Sequence, residues 1–284
     1  VVREVLAETS REAILEALAR HQRGAPARIA RAVGGRVDDL PDMLLFVSGF
    51  RVPFTNGVKD ARLDHVHADR RIQEAMDVLR EADVPALWSI DPLSRPGDLG
   101  DRLVRAGWRQ SEPMPWLAAE IAGLELAGPD PAGLEIRVVA DGNSDQAWLA
   151  AMTEGFGLSR DETHAIGLSA RAVGFDPAGP WVRFVGMMED LVAASSGLMT
   201  YGGLAGIYNV ATAPAARRRG IGAAMTRAAL RHARDLGYQV AALGTSPMGR
   251  GTYERMGFRD LCVTREYLLE PGEGTRGAAT TPVS

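Results

Sequence analysis

"ATAPAARRRGIGAAM", residues 211–225, places the densest positive charge of the chain directly before two glycines. Arg217, Arg218 and Arg219 are consecutive, and Gly220 and Gly222 follow. From Ile221, apolar residues recur at helical spacing through Ala224, Met225, Ala228 and Leu236. That spacing predicts a helix that opens at the glycines and closes at Gly237, a suitable C-terminal cap. A helix start leaves several main-chain N–H groups unpaired and carries a partial positive charge. Phosphate is the natural guest there. Glycine lets a large anion approach the main chain, because no side chain stands in the way.

Two nucleotide motifs are excluded by the residues around it. A P-loop needs Gly-x-x-x-x-Gly-Lys-Ser/Thr, and no lysine follows these glycines. A dinucleotide fingerprint needs Gly-x-Gly-x-x-Gly and an acidic residue on the next strand. Here the third position is Met225, and the following strand, "QVAALGTS" (239–246), has no acid.

The bulk composition narrows the class. With 284 residues and 46% hydrophobic content the chain can bury one large core or two ordinary ones. A net charge of -4 argues against wholesale nucleic-acid binding, since the basic character is confined to residues 217–219. Cys262 is the only cysteine, so no intrachain disulfide forms, which fits a reducing cytoplasm. His65 and His67 alternate, but no further ligands accompany them, so no metal is expected. No apolar run reaches membrane-span length, and the charged start "VVREVLAETSREAILEAL" does not read as a secretory signal.

Along the chain, the first twenty residues read as helical, with a Thr9/Glu12 capping box, and a second short helix is expected in "RGAPARIARAVGG". Strands are expected at 42–50 and 86–90, with helices at 69–84 and 98–107 and a strand over "MPWLAAEI" (114–121). "AGPDPAG" (127–133) breaks the pattern and reads as a linker. A second series follows: strand 134–140, a helix from 143 capped by Asn143 or Ser144, three strands over 180–213, then the helix from 221. "DETHAIGL", with His164, reads as a solvated loop. The segments 101–121 and 251–271 resemble one another, each a helix ending in Gly plus an aromatic, then a strand. Aligning Gly107 with Gly257 sets Leu103 opposite Tyr253. The first half has "DHVHADRRIQEAM" where the second has the Arg/Gly stretch, so the anion site occurs once.

Pro214, Arg217, Gly220 and Gly222 after a strand resemble the signature of the GNAT acyltransferases. "TYERMGF" (252–258) looks like that family's Tyr-x-x-x-Gly-Phe ending. The resemblance covers about residues 134 to 270. It implies an α/β (α+β) fold, a twisted and mostly antiparallel sheet flanked by helices, in two tandem copies with the first degenerate. The corresponding division is 1–127, a linker at 128–133, an acyl-CoA domain at 134–270 and a disordered tail at 271–284. It implies acetyl-CoA as cosubstrate, its pyrophosphate held by Arg217, Arg218, Arg219, Gly220, Ile221, Gly222 and Ala223, mainly through N–H groups. The pantetheine arm would lie along Val210, Ala211 and Thr212. Tyr253 matches the acid that protonates the leaving thiolate. Glu154 is the candidate base, and Tyr208 and Asn209 lie beside the thioester. The expected reaction is direct acetyl transfer to a small-molecule or peptide amine in a ternary complex, with homodimerisation left open. A non-enzymatic acyl-CoA sensor, another acyl group and a hydroxyl acceptor are the alternatives.

Overall fold

The computed structural model of the chain describes residues 4–189 and 191–271. Most of the tail expected at 271–284 therefore lies outside the described residues. In order, the first half runs α1 (Arg11–Ala32), β1 (Arg36–Leu40), β2 (Met43–Val47), β3 (Asn56–Lys59), α2 (Ala68–Glu81), β4 (Ala86–Ile90), α3 (Leu99–Arg105), β5 (Arg109–Gln110) and β6 (Met114–Glu120). The second runs β7 (Leu134–Val138), α4 (Gly142–Phe156), α5 (Arg160–Val173), β8 (Trp181–Met188), β9 (Leu191–Tyr201), β10 (Leu204–Thr212), α6 (Ile221–Asp235), β11 (Val240–Gly244), α7 (Pro247–Met256) and β12 (Arg259–Leu269).

The strands form one sheet ordered β1-β2-β3-β4-β12-β6-β11-β10-β9-β8-β7, with β5 beside β12. Two pairs are parallel, β3 with β4 and β10 with β11, and each is joined by a helix, α2 and α6. The other pairs are antiparallel. The similar segments 101–121 and 251–271 meet in the middle. β6 lies between β11 and β12, and the end of β12 pairs with β4 as Arg265↔Ile90 through Leu269↔Ala86. Each half thus gives its last strand to the other's side of the sheet.

Alternating burial fixes two faces. On one, Met225, Ala229 and Leu230 of α6 pack on Ala205, Ile207, Ala241 and Leu243. On the other, Trp148 and Met152 of α4 cover Trp181, Val185 and Met199, and Leu15 and Leu18 of α1 cover Leu204, Val240 and Ala242. Burying a side chain of this kind contributes about 1.5–3 kcal/mol.

Local expectations shift in four places. The cap of α1 is Ser10, which accepts from the Ala13 N–H, while the Thr9 hydroxyl reaches Glu120 at 2.9 Å. The two helices expected around Gly24 and Pro26 are one, because residues Ala17 to Ala30 are clamped in the cores. Tertiary packing overrides the lost hydrogen bond. α4 starts earlier than expected, and Asp141 is its cap, with Ser144 returning the bond. "DETHAIGL" is not a loop but part of α5, started by a Ser159/Glu162 capping box.

Candidate active site

β10 runs antiparallel to β9 until Tyr208, where the register slips and resumes at Ala211. Asn209 sits in the bulge with φ +56°, a left-handed conformation that asparagine tolerates. The Ser195 hydroxyl holds the Asn209 carbonyl at 2.8 Å. On its other edge β10 pairs with β11 only at Ala205↔Ala241 and Gly206↔Ala242. Beyond Gly206 the two strands separate, and Asn209, Val210 and Thr212 are half-buried at the opening, while Ala211 is buried.

The chain then turns through a 3-10 segment at Pro214–Ala216. The Arg217 side chain, expected to hold a pyrophosphate, bonds the main chain instead. Its guanidinium donates to the Thr212 carbonyl at 3.2 Å and the Gly155 carbonyl at 2.7 Å, bracing the loop against the end of α4. Arg218 (φ +61°) and Gly220 (φ +78°) bend the main chain into the start of α6. Among the described residues, the N–H groups from Arg218 to Ala223 donate to no carbonyl, and the first internal bond of α6 runs from Ala224 to Gly220 at 3.1 Å. Arg218, Arg219 and Gly220 are exposed, Gly222 and Ala223 half-buried. Ile221 is 1% exposed, so its side chain anchors the helix and only its amide is available. A Cβ on Gly222 would meet only Thr212 Oγ1, at 3.7 Å. The fold itself has room for that carbon. A nest of free N–H groups at a helix start fits a diphosphate.

Tyr253 on α7 comes to the same helix turn. Its ring meets Phe258 edge-on at 6.2 Å. Burial pushes the phenol pKa up, and a hydrogen bond with the Thr226 side chain works in the other direction. Thr226 Oγ1 in turn donates to the Gly222 carbonyl at 2.9 Å. The neutral phenol is therefore the form held there, as a proton donor requires. Glu154 lies next to Gly155 on α4, near the braced loop, and is exposed. A cleft of about 540 Å³ between α4 and α5 is lined by Leu149, Thr153, Arg160, His164 and Arg171, among others. Cys262 is half-buried, and burial raises its thiol to about 11, which suits packing rather than nucleophilic attack.

One residue at this end was not singled out from the sequence. His21 of α1 is wholly buried and stacks on Tyr208, with ring centroids 5.7 Å apart and planes at 8°. Its Nδ1 faces the Tyr201 carbonyl at 3.2 Å, so that nitrogen carries the proton. Nε2 then accepts from the Tyr208 hydroxyl at 3.0 Å. Burial lowers the His21 pKa to about 4, and burial pushes the Tyr208 phenol well up. The ring presses on Gly206, where a Cβ would lie 2.5 Å from Nε2. A glycine inside a strand marks such a close approach, and it was the signal available at 206.

Among the described residues no cluster of three or more metal-ligating side chains forms, and no helix is long and apolar enough to cross a membrane.

Residues 148–258 match the model of the acetyltransferase (GNAT) family. A mycothiol acetyltransferase of Streptomyces avermitilis is 29% identical over 154 residues, 49% of this chain and 47% of that protein. The chain thus spans about half the length of that curated relative. The crystal structure of a GCN5-related N-acetyltransferase from Kribbella flavida superposes with a TM-score of 0.68 at 21% identity, covering 88% of this chain and 96% of that one. A tandem GNAT protein from the clavulanic acid biosynthesis pathway superposes at 0.55 and 13% identity, covering 80% and 78%. The chain therefore shares the fold of GNAT proteins over most of its length, and its segment 148–258 matches the model of the GNAT acetyltransferase family.

Proposed function

We propose that the protein is an N-acetyltransferase that moves an acetyl group from acetyl-CoA to the amine of a small-molecule acceptor. The carrying observation is the run of unbonded amides from Arg218 to Ala223, set beside a strand that bulges against its antiparallel neighbour β9 and pairs with the parallel β11 only as far as Gly206. Those amides and Gly222 would hold the pyrophosphate, with Arg218 and Arg219 adding long-range attraction. Arg217 shapes the loop through its two carbonyl bonds. Val210 and Thr212 would pair with the pantetheine amides. An N–H at the bulge would stabilise the charge that develops on the thioester oxygen. Acetyl-CoA supplies the activated acyl group, and the amine attacks it directly. Tyr253 protonates the departing thiolate, and Glu154 is the candidate that takes the ammonium proton.

In the same proposal, residues 1–127 are a copy of the fold without a cofactor site, joined by 128–133 to the acyl-CoA domain at 134–270. The parallel pairs β3–β4 and β10–β11, each with its crossing helix, support it. The test is calorimetry with coenzyme A, followed by release of free thiol from acetyl-CoA with a panel of amines: amino sugars, amino acids, amino-acid amides and diamines. Micromolar binding that Gly222→Trp abolishes, with thiol release for at least one amine, is the expected result. Binding without thiol release for any amine would turn the reading to a sensor. Unchanged binding in Gly222→Trp would remove the site.

A further inference from the structure

Three polar atoms converge over Gly197 of β9, beside the bulge. Gly197 faces Tyr208 across the ladder. A Cβ built on Gly197 would stand 3.3 Å from Trp181 Nε1, 3.4 Å from Asn209 Oδ1 and 3.6 Å from the Tyr208 carbonyl oxygen. Trp181 is 6% exposed, and among the described residues its indole N–H has no hydrogen-bond partner. Asn209 Oδ1 is buried and also has none. One is a donor and the other an acceptor, yet they do not bond each other.

Packing keeps them apart. The Trp181 ring meets Trp148 edge-on at 6.1 Å and lies 5.0 Å from the Arg183 guanidinium. Trp148 is itself pinned by its indole bond to the Ser196 carbonyl at 3.0 Å. The Asn209 main chain is held by the bulge and by Ser195. The Trp181 indole and the Asn209 main chain are thus held in place, and the two polar atoms do not bond each other.

The chemistry of its wall selects the occupant. The group must accept from an indole N–H and donate to two carbonyl-type oxygens. A carboxylate or phosphate has no proton to donate, an ammonium cannot accept, and a hydroxyl lacks the second proton. Water satisfies all three. We propose that one water molecule bridges Trp181 Nε1–H, Asn209 Oδ1 and the Tyr208 carbonyl, and that it fixes Asn209 as a recognition residue for the acceptor. An amide has one accepting end and one donating end. With Oδ1 turned to the water, Nδ2 is the end left for a substrate. That end selects an amine with an oxygen beside it, as in an amino sugar or an amino-acid amide, over a diamine. The water stands independently of the transferase reading, and the recognition role rests on it.

The test has two arms on the full chain. High-resolution crystal structures of the wild type, Trp181→Phe and Gly197→Ala read the water directly. It is expected in the first, bonded to all three atoms, and absent from the other two. A direct Trp181–Asn209 bond, or no water over Gly197 in the wild type, overturns the proposal. In the second arm, initial rates with glucosamine and with 1,4-diaminobutane are compared at saturating acetyl-CoA. Trp181→Phe and Asn209→Ala are each expected to raise the KM for glucosamine about tenfold, non-additively, with the KM for 1,4-diaminobutane unchanged. Water present but acceptor preference unaltered in Asn209→Ala overturns the recognition role. Acetylation of no panel amine removes that role together with the transferase reading, while the crystal arm still decides the water.

Discussion

α2 and α6 open in the same topological place, each between two parallel strands that pair at only two positions, and the chain treats the two openings differently. At α6 no acid stands in the first turn, and Arg218 and Arg219 precede two glycines. At α2 Asp69 lies in the first turn, and the Asp64 carboxylate accepts from the Val66 N–H at 3.0 Å. Beyond β3 the opening is filled by the chain itself. The Arg95 N–H donates to the Ala61 carbonyl at 2.9 Å, and the Leu63 N–H to the Arg95 carbonyl at 3.1 Å, a short parallel bridge. Lys59 reaches Ser89 below it, and Ser89 bonds Glu266 at 2.6 Å. A bridge made by the chain itself thus occupies in the first half the kind of gap that β10 and β11 leave unpaired in the second. On the proposed reading, an anion site needs more than a helix start. It needs a gap that the chain leaves to another molecule.

The sharpest way to break this comparison is at its glycines. Gly57 in β3 has φ +144°, and a Cβ there would lie 1.8 Å from the Leu87 carbonyl oxygen. Gly57→Ala is expected to cost about 3 kcal/mol or more, read as a lower urea midpoint or loss of soluble protein. Gly222→Ala meets no such obstacle and should keep stability within about 0.5 kcal/mol, while coenzyme A affinity falls at least about tenfold. Equal stability loss in both would mean that Gly222 serves packing, not a ligand.

His21 tests how firmly the first half grips the second. Its pKa in the fold, about 4, lies below the ordinary value of 6.5, so the fold favours the neutral ring. Its contribution is fully present above pH 6.5 and is lost as pH falls from 6.5 towards 4, by up to about 3 kcal/mol. His21→Gln should flatten that part of the stability–pH curve, measured by denaturant melts across the range. A curve of unchanged slope would remove His21 as its source.

Tyr253→Phe then separates chemistry from binding. Removing the phenol should lower kcat about 10- to 100-fold and leave the coenzyme A dissociation constant unchanged, since Phe258 still packs the ring. A parallel loss of affinity in calorimetry would show that the Thr226–Gly222 link shapes the anion site instead.

These contrasts also mark what the sequence could disclose. The Arg/Gly stretch, the helix after it and the Tyr-Gly-Phe ending were legible because turn chemistry and period act locally. The strands over 180–213 were legible for the same reason. The polar strand "RVDDL" of β1 was not, since both its faces carry charge and only pairing with the wholly buried β2 makes it a strand. α5 was missed because its capping box lay in a run of charges. The exchange of β6 and β12 left no local trace. Each is an ordinary half-buried strand, and its partner is set by which edge is vacant. The His21–Tyr208 contact joins residues 187 apart, and only Gly206 hinted at it.

The smallest expected effect concerns the first-half opening alone. If acidity were all that distinguishes α2, replacing Asp64 and Asp69 together by alanine would create a second anion site. The Arg95 bridge predicts otherwise, because the gap beside β3 stays filled whatever the charge at the helix start. The double variant should lose no more than about 2 °C in melting temperature, both carboxylates being largely exposed. Calorimetry with coenzyme A should still return one site per chain. A second site in that variant would show that charge, and not the chain's own bridge, closes the first half. A second site only after Arg95–Pro96 is also replaced by glycines would place the block in the bridge.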